Sequence, residues 1–321
     1  MAGELPLSRP AAGRVVLRSP HRGLRLGRWA ARVEPYLYLL PALLVIGVWV
    51  YRPLVEIVDL SFHQWNLLPT APKTPVGWRN YEQVLALPEM GRALVNTVYY
   101  TLGMFPFSII IPVIIAIFTY NQRGRLSTLY RAIIFTPVII APVVVTVLWR
   151  WILHPFNGIV NVWLQSLLGT RPINFFGDPA LVLPTITFIT GWGLVGFATL
   201  IFAAALTNVN RDYLEAAAID GASSLQIVRF IMLPLLSPTI LFMTLLTVLF
   251  SSQWTFVHIR VISTNAISTT SSNIYTLLYD YGFRSFNAGW SSASAVLMFI
   301  GFGAIAVLFL WLQRLYSFYD S

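Results

Sequence analysis

The chain has no cysteine, which removes disulfides, thiolate metal sites and thiol nucleophiles together. Its single lysine, Lys73, lies in Ala71-Pro72-Lys73-Thr74-Pro75 with no glycine loop to cradle a phosphate, so a P-loop ATPase within this chain is excluded. Charge is scarce: Asp, Glu, Lys and Arg make up 10% of 321 residues, where ordinary globular chains carry roughly a quarter. The four histidines, His21, His63, His154 and His258, stand in separate segments, none at metal-ligand spacing from another. There is no Gly-x-Ser-x-Gly elbow, no His-Glu-x-x-His and no pair of carboxylates inside an apolar stretch. Neither a metal site nor a catalytic residue is expected, and an intramembrane enzyme survives only as a remote alternative.

What is present is apolar surface, at 57% of residues, more than one water-soluble core can hide. Crossing a hydrocarbon layer of about 30 Å takes about 20 helical residues, and stretches of that length recur at 36–58, 93–120, 129–153, 181–206, 238–261 and 293–312. A lipid-facing backbone must satisfy its own hydrogen bonds, so these are expected as helices. The fold class expected is all-α and polytopic, with six membrane spans. Residues 1–35 read as an Arg-rich, largely disordered tail without a signal-peptide cleavage pattern, and 36–321 as the membrane domain.

Arginine sets the expected sidedness. One side holds Arg9, Arg14, Arg18, Arg22, Arg25, Arg28, Arg32, Arg123, Arg125, Arg131, Arg211, Arg229 and Arg314. The other holds Arg52, Lys73, Arg79, Arg92, Arg150, Arg171, Arg260 and Arg284. Positive residues favour the inner face, so both termini are expected in the cytoplasm. The net charge of +9 is concentrated in the tail, beside an anionic membrane surface, and so does not point to nucleic acid.

The most informative segment is 211–234, between the fourth and fifth spans. Asp212 followed by Glu215 resembles a capping-box start, and Ala216, Ala217 and Ala218 are strong helix formers. Gly221 falls where a left-handed residue would end that helix. Ser223 with Gln226 forms a second capping-box pattern, Leu225, Val228 and Ile231 or Met232 give an apolar stripe, and Pro234 is expected to close the second helix. A small, Ala-rich helical hairpin leaving a membrane domain suits insertion into a partner's groove.

Glu215-Ala216-Ala217, then Gly221, then Ile231-x-Leu233-Pro234 resembles the EAA motif of binding-protein-dependent ABC importer permeases. Leu60-Ser61-Phe62, Trp65-Asn66, Val76-Gly77-Trp78, Asn80-Tyr81 and Leu94-x-Asn96-Thr97 are similar to its sugar branch, that of the maltose and glycerol-3-phosphate systems. The large external insert and extra amino-terminal spans of the maltose permease are absent.

The resemblance implies a multi-pass protein of the bacterial inner membrane, paired with a second homologous permease, a homodimeric cytoplasmic ATPase and an extracytoplasmic solute-binding protein. ATP and magnesium would belong to the ATPase, with no cofactor in this chain. It further implies that Glu215, Ala216, Ala217, Asp220, Gly221, Ile231, Leu233 and Pro234 engage the ATPase. Gly193, Leu194, Phe197, Thr247, Phe250, Ser251 and Trp254 would fall on the substrate path. Helix packing is the equal alternative for any one of the path residues. A sugar or oligosaccharide is the expected substrate, with a glycerol-phosphate ester or polyol as the alternative. Asn96 and Gln253 read as interhelical hydrogen-bond partners, and Pro106, Pro112, Pro137 and Pro142 as kinks in the second and third spans.

Overall fold

The computed structural model describes residues 26–120, 125–262 and 270–316. Most of the tail, residues 1–25, therefore lies outside the described residues. Helices α1 (Leu26–Ile46), α2 (Arg52–Ser61), α3 (Arg79–Ala86), α4 (Pro88–Phe105), α5 (Ile111–Tyr120), α6 (Arg125–Ile139) and α7 (Pro142–Ile152) come first. They are followed by α8 (Ile159–Leu168), α9 (Pro179–Thr207), α10 (Arg211–Ile219), α11 (Ser224–Ile227), α12 (Leu233–Ile262), α13 (Ile274–Tyr279) and α14 (Ala288–Tyr316). The described strands are β1 (His63–Gln64) and β2 (Thr74–Pro75), an antiparallel pair closing one loop. The all-α expectation is borne out.

The chain divides into two units, Met1–Val55 and Glu56–Ser321. In the first, the described side chains from Pro35 to Val55 are all exposed except half-buried Gly47, as suits a helix facing lipid. In the second, α9 is the hub, touching α4, α5, α6, α7 and α12. Its apolar residues run all round the helix, the pattern of a helix surrounded on every side. At Gly196 a Cβ would collide with the Ile134 carbonyl, so the missing side chain is what lets α6 approach α9. Val113, Ala116, Ala198, Phe202, Leu206, Met232, Leu236 and Met243 form the largest buried cluster, at the end of α9 that leads into α10.

Among the described residues, five helices are long and apolar enough to cross a membrane: Pro35–Ser61, Pro88–Tyr120, Pro179–Thr207, Ser224–Ile262 and Ala288–Trp311. The stretch 129–153 departs from the single helix expected. It is bent by 106° between Ala132–Ile139 and Pro142–Ile152, so six crossings hold only if this pair counts as one broken span. The cause is local: Pro142 disfavours the helical region for the residue before it, and Ala141 takes φ −57° and ψ 136°. Pro142 then starts α7, where its lost donor costs nothing. Pro106, by contrast, is absorbed within a continuous span by a π turn over Pro106–Ile110.

One stretch of irregular backbone is buried. Asn96 Nδ2 donates to the Thr270 and Ser272 carbonyls at 2.7 and 2.8 Å, and Tyr100 Oη to that of Ser271 at 2.9 Å. Asn273, fully buried, donates to the Ser252 carbonyl and Thr255 Oγ1 at 2.8 Å each and accepts from the Thr276 amide. Backbone that leaves helical geometry within a membrane protein needs such partners, because no bulk water supplies them. Asn96 is thus a hydrogen-bond partner, though to the backbone of this irregular stretch rather than between two helices, while Gln253, expected to bond between helices, is exposed.

Candidate coupling hairpin and translocation face

The hairpin begins one residue pair earlier than the sequence suggested. Asn210, not Asp212, caps α10, accepting a 3.0 Å hydrogen bond from the Asp212 amide, while Asp212 sits in the first turn where the helix dipole favours an anion. At its other end Gly221 has φ +81°. The Ala222 amide reaches the Ala217 carbonyl at 3.0 Å and the Gly221 amide that of Ala218 at 3.1 Å, together a Schellman closure. The second capping box forms as expected: Ser223 N donates to Gln226 Oε1 at 2.7 Å, and Gln226 N to Ser223 Oγ at 3.4 Å.

Pro234 does not close the second helix. The helix runs unbroken from Ser224 to Ile262, through a π turn at Val228–Met232, into the fifth apolar stretch. The wider turn, in which Leu233 N bonds the Val228 carbonyl, gives room for a proline ring that a regular α-turn would push against a preceding carbonyl. As a result α11 and α12 form one continuous rod.

The inner side of the hairpin is anchored and its outer side is not. Leu214, Ile227, Val228 and Leu233 pack against the main buried cluster. Tyr213, Ile219, Leu225 and Phe230 are exposed, Ile219 by 86% and Leu225 by 76%. Of the residues predicted to couple, Ala216, Ala217, Asp220, Ile231 and Pro234 line one shallow cleft with Phe230. Gly221 borders a second cleft beside Asp220 and Ile231. Glu215 faces a third hollow together with Arg211, and Leu233 turns inward. The exposed Phe230 and Ile219 were not singled out from sequence; the signal available was their place outside the inward-facing stripe.

The predicted path residues separate into two sets. Thr247 and Ser251 are fully buried, with Thr247 Oγ1 donating to Ser108 Oγ at 2.9 Å and Ser251 Oγ paired with Thr101 Oγ1 at 2.6 Å. Their hydroxyls hold α12 to the second span. Phe250 and Trp254, on the flank of the same helix, are stacked with ring centroids 6.1 Å apart, and Phe250 is 40% exposed. On α9, Phe197 is exposed and a Cβ at Gly193 would meet open space, whereas Leu194 is buried. His258 Nδ1 shares a 2.7 Å hydrogen bond with Thr146 Oγ1 inside the bundle, a packing role. Among the described residues no three His, Asp or Glu side chains come together as a metal site.

A polytopic helical membrane domain with a capped, outward-facing hairpin between two of its spans defines a membrane-embedded transport subunit. The chain belongs to the family of binding-protein-dependent transport system inner membrane components, whose model matches residues 90–318. Among curated relatives, the probable ABC transporter permease protein YurN of Bacillus subtilis is 27% identical over 271 residues, covering 84% of this chain and 92% of that protein. The trehalose/maltose transport system permease protein MalF of Thermococcus litoralis is 28% identical over 280 residues, covering 87% and 93%. A solved structure of a bacterial alginate ABC transporter in complex with an alginate pentasaccharide-bound periplasmic protein matches with a TM-score of 0.81 at 21% identity. It covers 92% of this chain and 99% of the matched chain, which establishes the shared fold.

Proposed function

We propose that this permease carries a sugar or oligosaccharide inward through a path formed with a second permease, driven by a separate ATPase that binds the 211–234 hairpin. The observation that carries the reading is the hairpin itself. Three local devices, the Asn210 cap, the Gly221 closure and the Ser223–Gln226 box, hold it rigid while its apolar outer face has no partner in the chain among the described residues. A rigid exposed knob can transmit a push from a docked partner, and the rod from Ser224 to Ile262 carries it into the bundle. ATP and magnesium belong to the ATPase, and a solute-binding protein delivers the substrate.

Glu215, Ala216, Ala217, Asp220, Gly221, Ile231, Leu233 and Pro234 form the coupling set. Phe197 and Phe250, exposed, and Gly193 and Trp254, half-buried, are the members of the path set open to a stacking sugar, whereas Leu194, Thr247 and Ser251 are buried. A neutral solute is favoured, because at the end of the bundle expected to be external Arg260 is already paired with Asp280 at 2.7 Å and so offers little uncompensated charge to a phosphate ester. The arginine asymmetry supports a cytoplasmic location for both termini.

Affinity purification through a tag on this chain tests the assembly. An ATPase and a second permease should be recovered with it, and a chain that transports alone would overturn the reading. Sidedness is read separately in the cysteine-free background: Ser223→Cys should react with an impermeant thiol reagent only in opened cells, and Thr70→Cys in intact ones. Labelling of Ser223→Cys from outside would reverse the topology.

A further inference from the structure

A crevice of about 370 Å³ opens between α5, α6 and α9, walled by Ile115, Ala116, Ile134, Phe135, Leu200 and Ala203, and it reaches Arg211, the first residue of α10. This size is ordinary for a small-ligand site, and the walls are mostly apolar. The threonine hydroxyls beside it are engaged: those of Thr119, Thr199 and Thr207 donate to carbonyls of their own helices at 3.2, 2.7 and 2.6 Å. Tyr130, on the same wall, is different. Its hydroxyl is buried and has no hydrogen-bond partner among the described residues. A buried donor left unmade is costly, so such a group points to an acceptor that the chain does not itself supply.

Arg211 is also unsatisfied by the fold. It is exposed and makes no ion pair among the described residues, although Glu215 stands one turn further along. It occupies the first position of a nine-residue helix, where the macrodipole disfavours a cation. The other arginine of the hairpin, Arg229, is accommodated, lying 5.5 Å from the Phe230 ring centroid. The position of Arg211 is that of the membrane edge, four residues beyond the end of the membrane-spanning α9. One ligand chemistry meets all of these conditions: a phosphate at the guanidinium, joined to a hydrocarbon chain that fills the apolar crevice.

We propose that this crevice binds one anionic phospholipid, its phosphate held by Arg211 with the Tyr130 hydroxyl as donor and an acyl chain along α5, α6 and α9. Because Arg211 starts the hairpin, an occupied crevice fixes the angle at which the hairpin leaves the membrane. That consequence rests on the coupling role proposed above; the binding itself does not.

Native mass spectrometry of the purified full-length chain in detergent, titrated with phosphatidylglycerol, phosphatidylcholine or inorganic phosphate, separates the two. One phosphatidylglycerol should be retained in preference to phosphatidylcholine, with no displacement by inorganic phosphate. Arg211→Gln should weaken retention about five-fold, the scale expected of one Arg near a lipid surface. Arg211→Lys should keep most of it, Tyr130→Phe should lose a smaller part, and Arg229→Gln should not change it. Melting curves taken on the same samples show whether each variant is folded. Equal retention by folded Arg211→Gln, or equal loss in Arg229→Gln, would overturn the site, as would displacement by free phosphate. None of these readouts requires an ATPase or transport, so a negative result here leaves the importer reading standing, and the reverse.

Discussion

The Ser271–Asn273 node and the 211–234 hairpin are both breaks between apolar helices, yet they spend their polar groups in opposite directions. In the node, Asn96 and Tyr100 donate to the carbonyls of Thr270, Ser271 and Ser272, and Asn273, completely buried, donates to the Ser252 carbonyl and accepts from the Thr276 amide. In the hairpin, the capping bonds are local, two or three residues apart, and Ile219, Leu225 and Phe230 face outward. The node ties helices together by long-range bonds, spanning 174 residues from Asn96 to Thr270. The hairpin is self-sufficient and keeps its surface free for another molecule. One break serves the stability of the bundle, and the other is the one proposed to serve coupling.

The sharpest way to break this contrast is Gly221→Leu. A Cβ there meets nothing, so the substitution does not crowd the fold, but a branched residue at φ +81° opposes left-handed geometry by about 1–2 kcal/mol and adds bulk to the docking face. Uptake in cells lacking the wild-type subunit should be nearly abolished while membrane insertion, followed by immunoblot, persists. Normal uptake by this variant would remove the hairpin from the coupling mechanism. Asn273→Ala should show the opposite profile. Leaving buried backbone groups unpaired should lower stability by about 1–3 kcal/mol, read as a fall in melting temperature in detergent, while the ATPase still co-purifies.

Two smaller effects sharpen the comparison. Trp254→Ala removes one partner of the stacked pair on α12, worth about 0.5–1.5 kcal/mol, and should reduce sugar uptake several-fold without loss of assembly. A matching drop in complex yield would make that pair packing rather than path. Ser223→Ala removes one half of an exposed capping box and should cost about 0.5–1 kcal/mol of local helix stability. Hydrogen exchange in 223–228 should then quicken while the bundle's exchange is unchanged; a global change would mean that the hairpin is not the self-contained unit described.

Much of the coupling segment was legible because its signals are local. A glycine that must be left-handed, a Ser and Gln three apart and a run of alanines act over one turn of chain, so composition and spacing specify them. Spacing alone does not choose between Asn210 and Asp212, because both are good caps two residues apart and which one leads depends on where α9 ends. Pro234 differs from its expected role for a related reason. A proline commonly ends a helix, but here a π turn just before it lets the rod continue, and that choice is made by the packing of Met232 and Leu236 against α9 rather than by the proline.

The sequence by itself determined the class of the molecule and the positions of its helices. Length and apolar content decide whether a segment can leave water, and the charged residues mark its ends. Tertiary structure alone decided how those helices share their polar groups. Thr247 and Ser251 lie within a turn of Phe250 and Trp254, and nothing in their spacing says that the hydroxyls turn toward Ser108 and Thr101 while the rings turn away. The bend at Ala141 likewise became 106° because only the surroundings of α9 set how far a broken span folds back. Side-chain direction around a helix has meaning only against its neighbours, and in a chain apolar on nearly every face the hydrophobic pattern cannot say which face meets which.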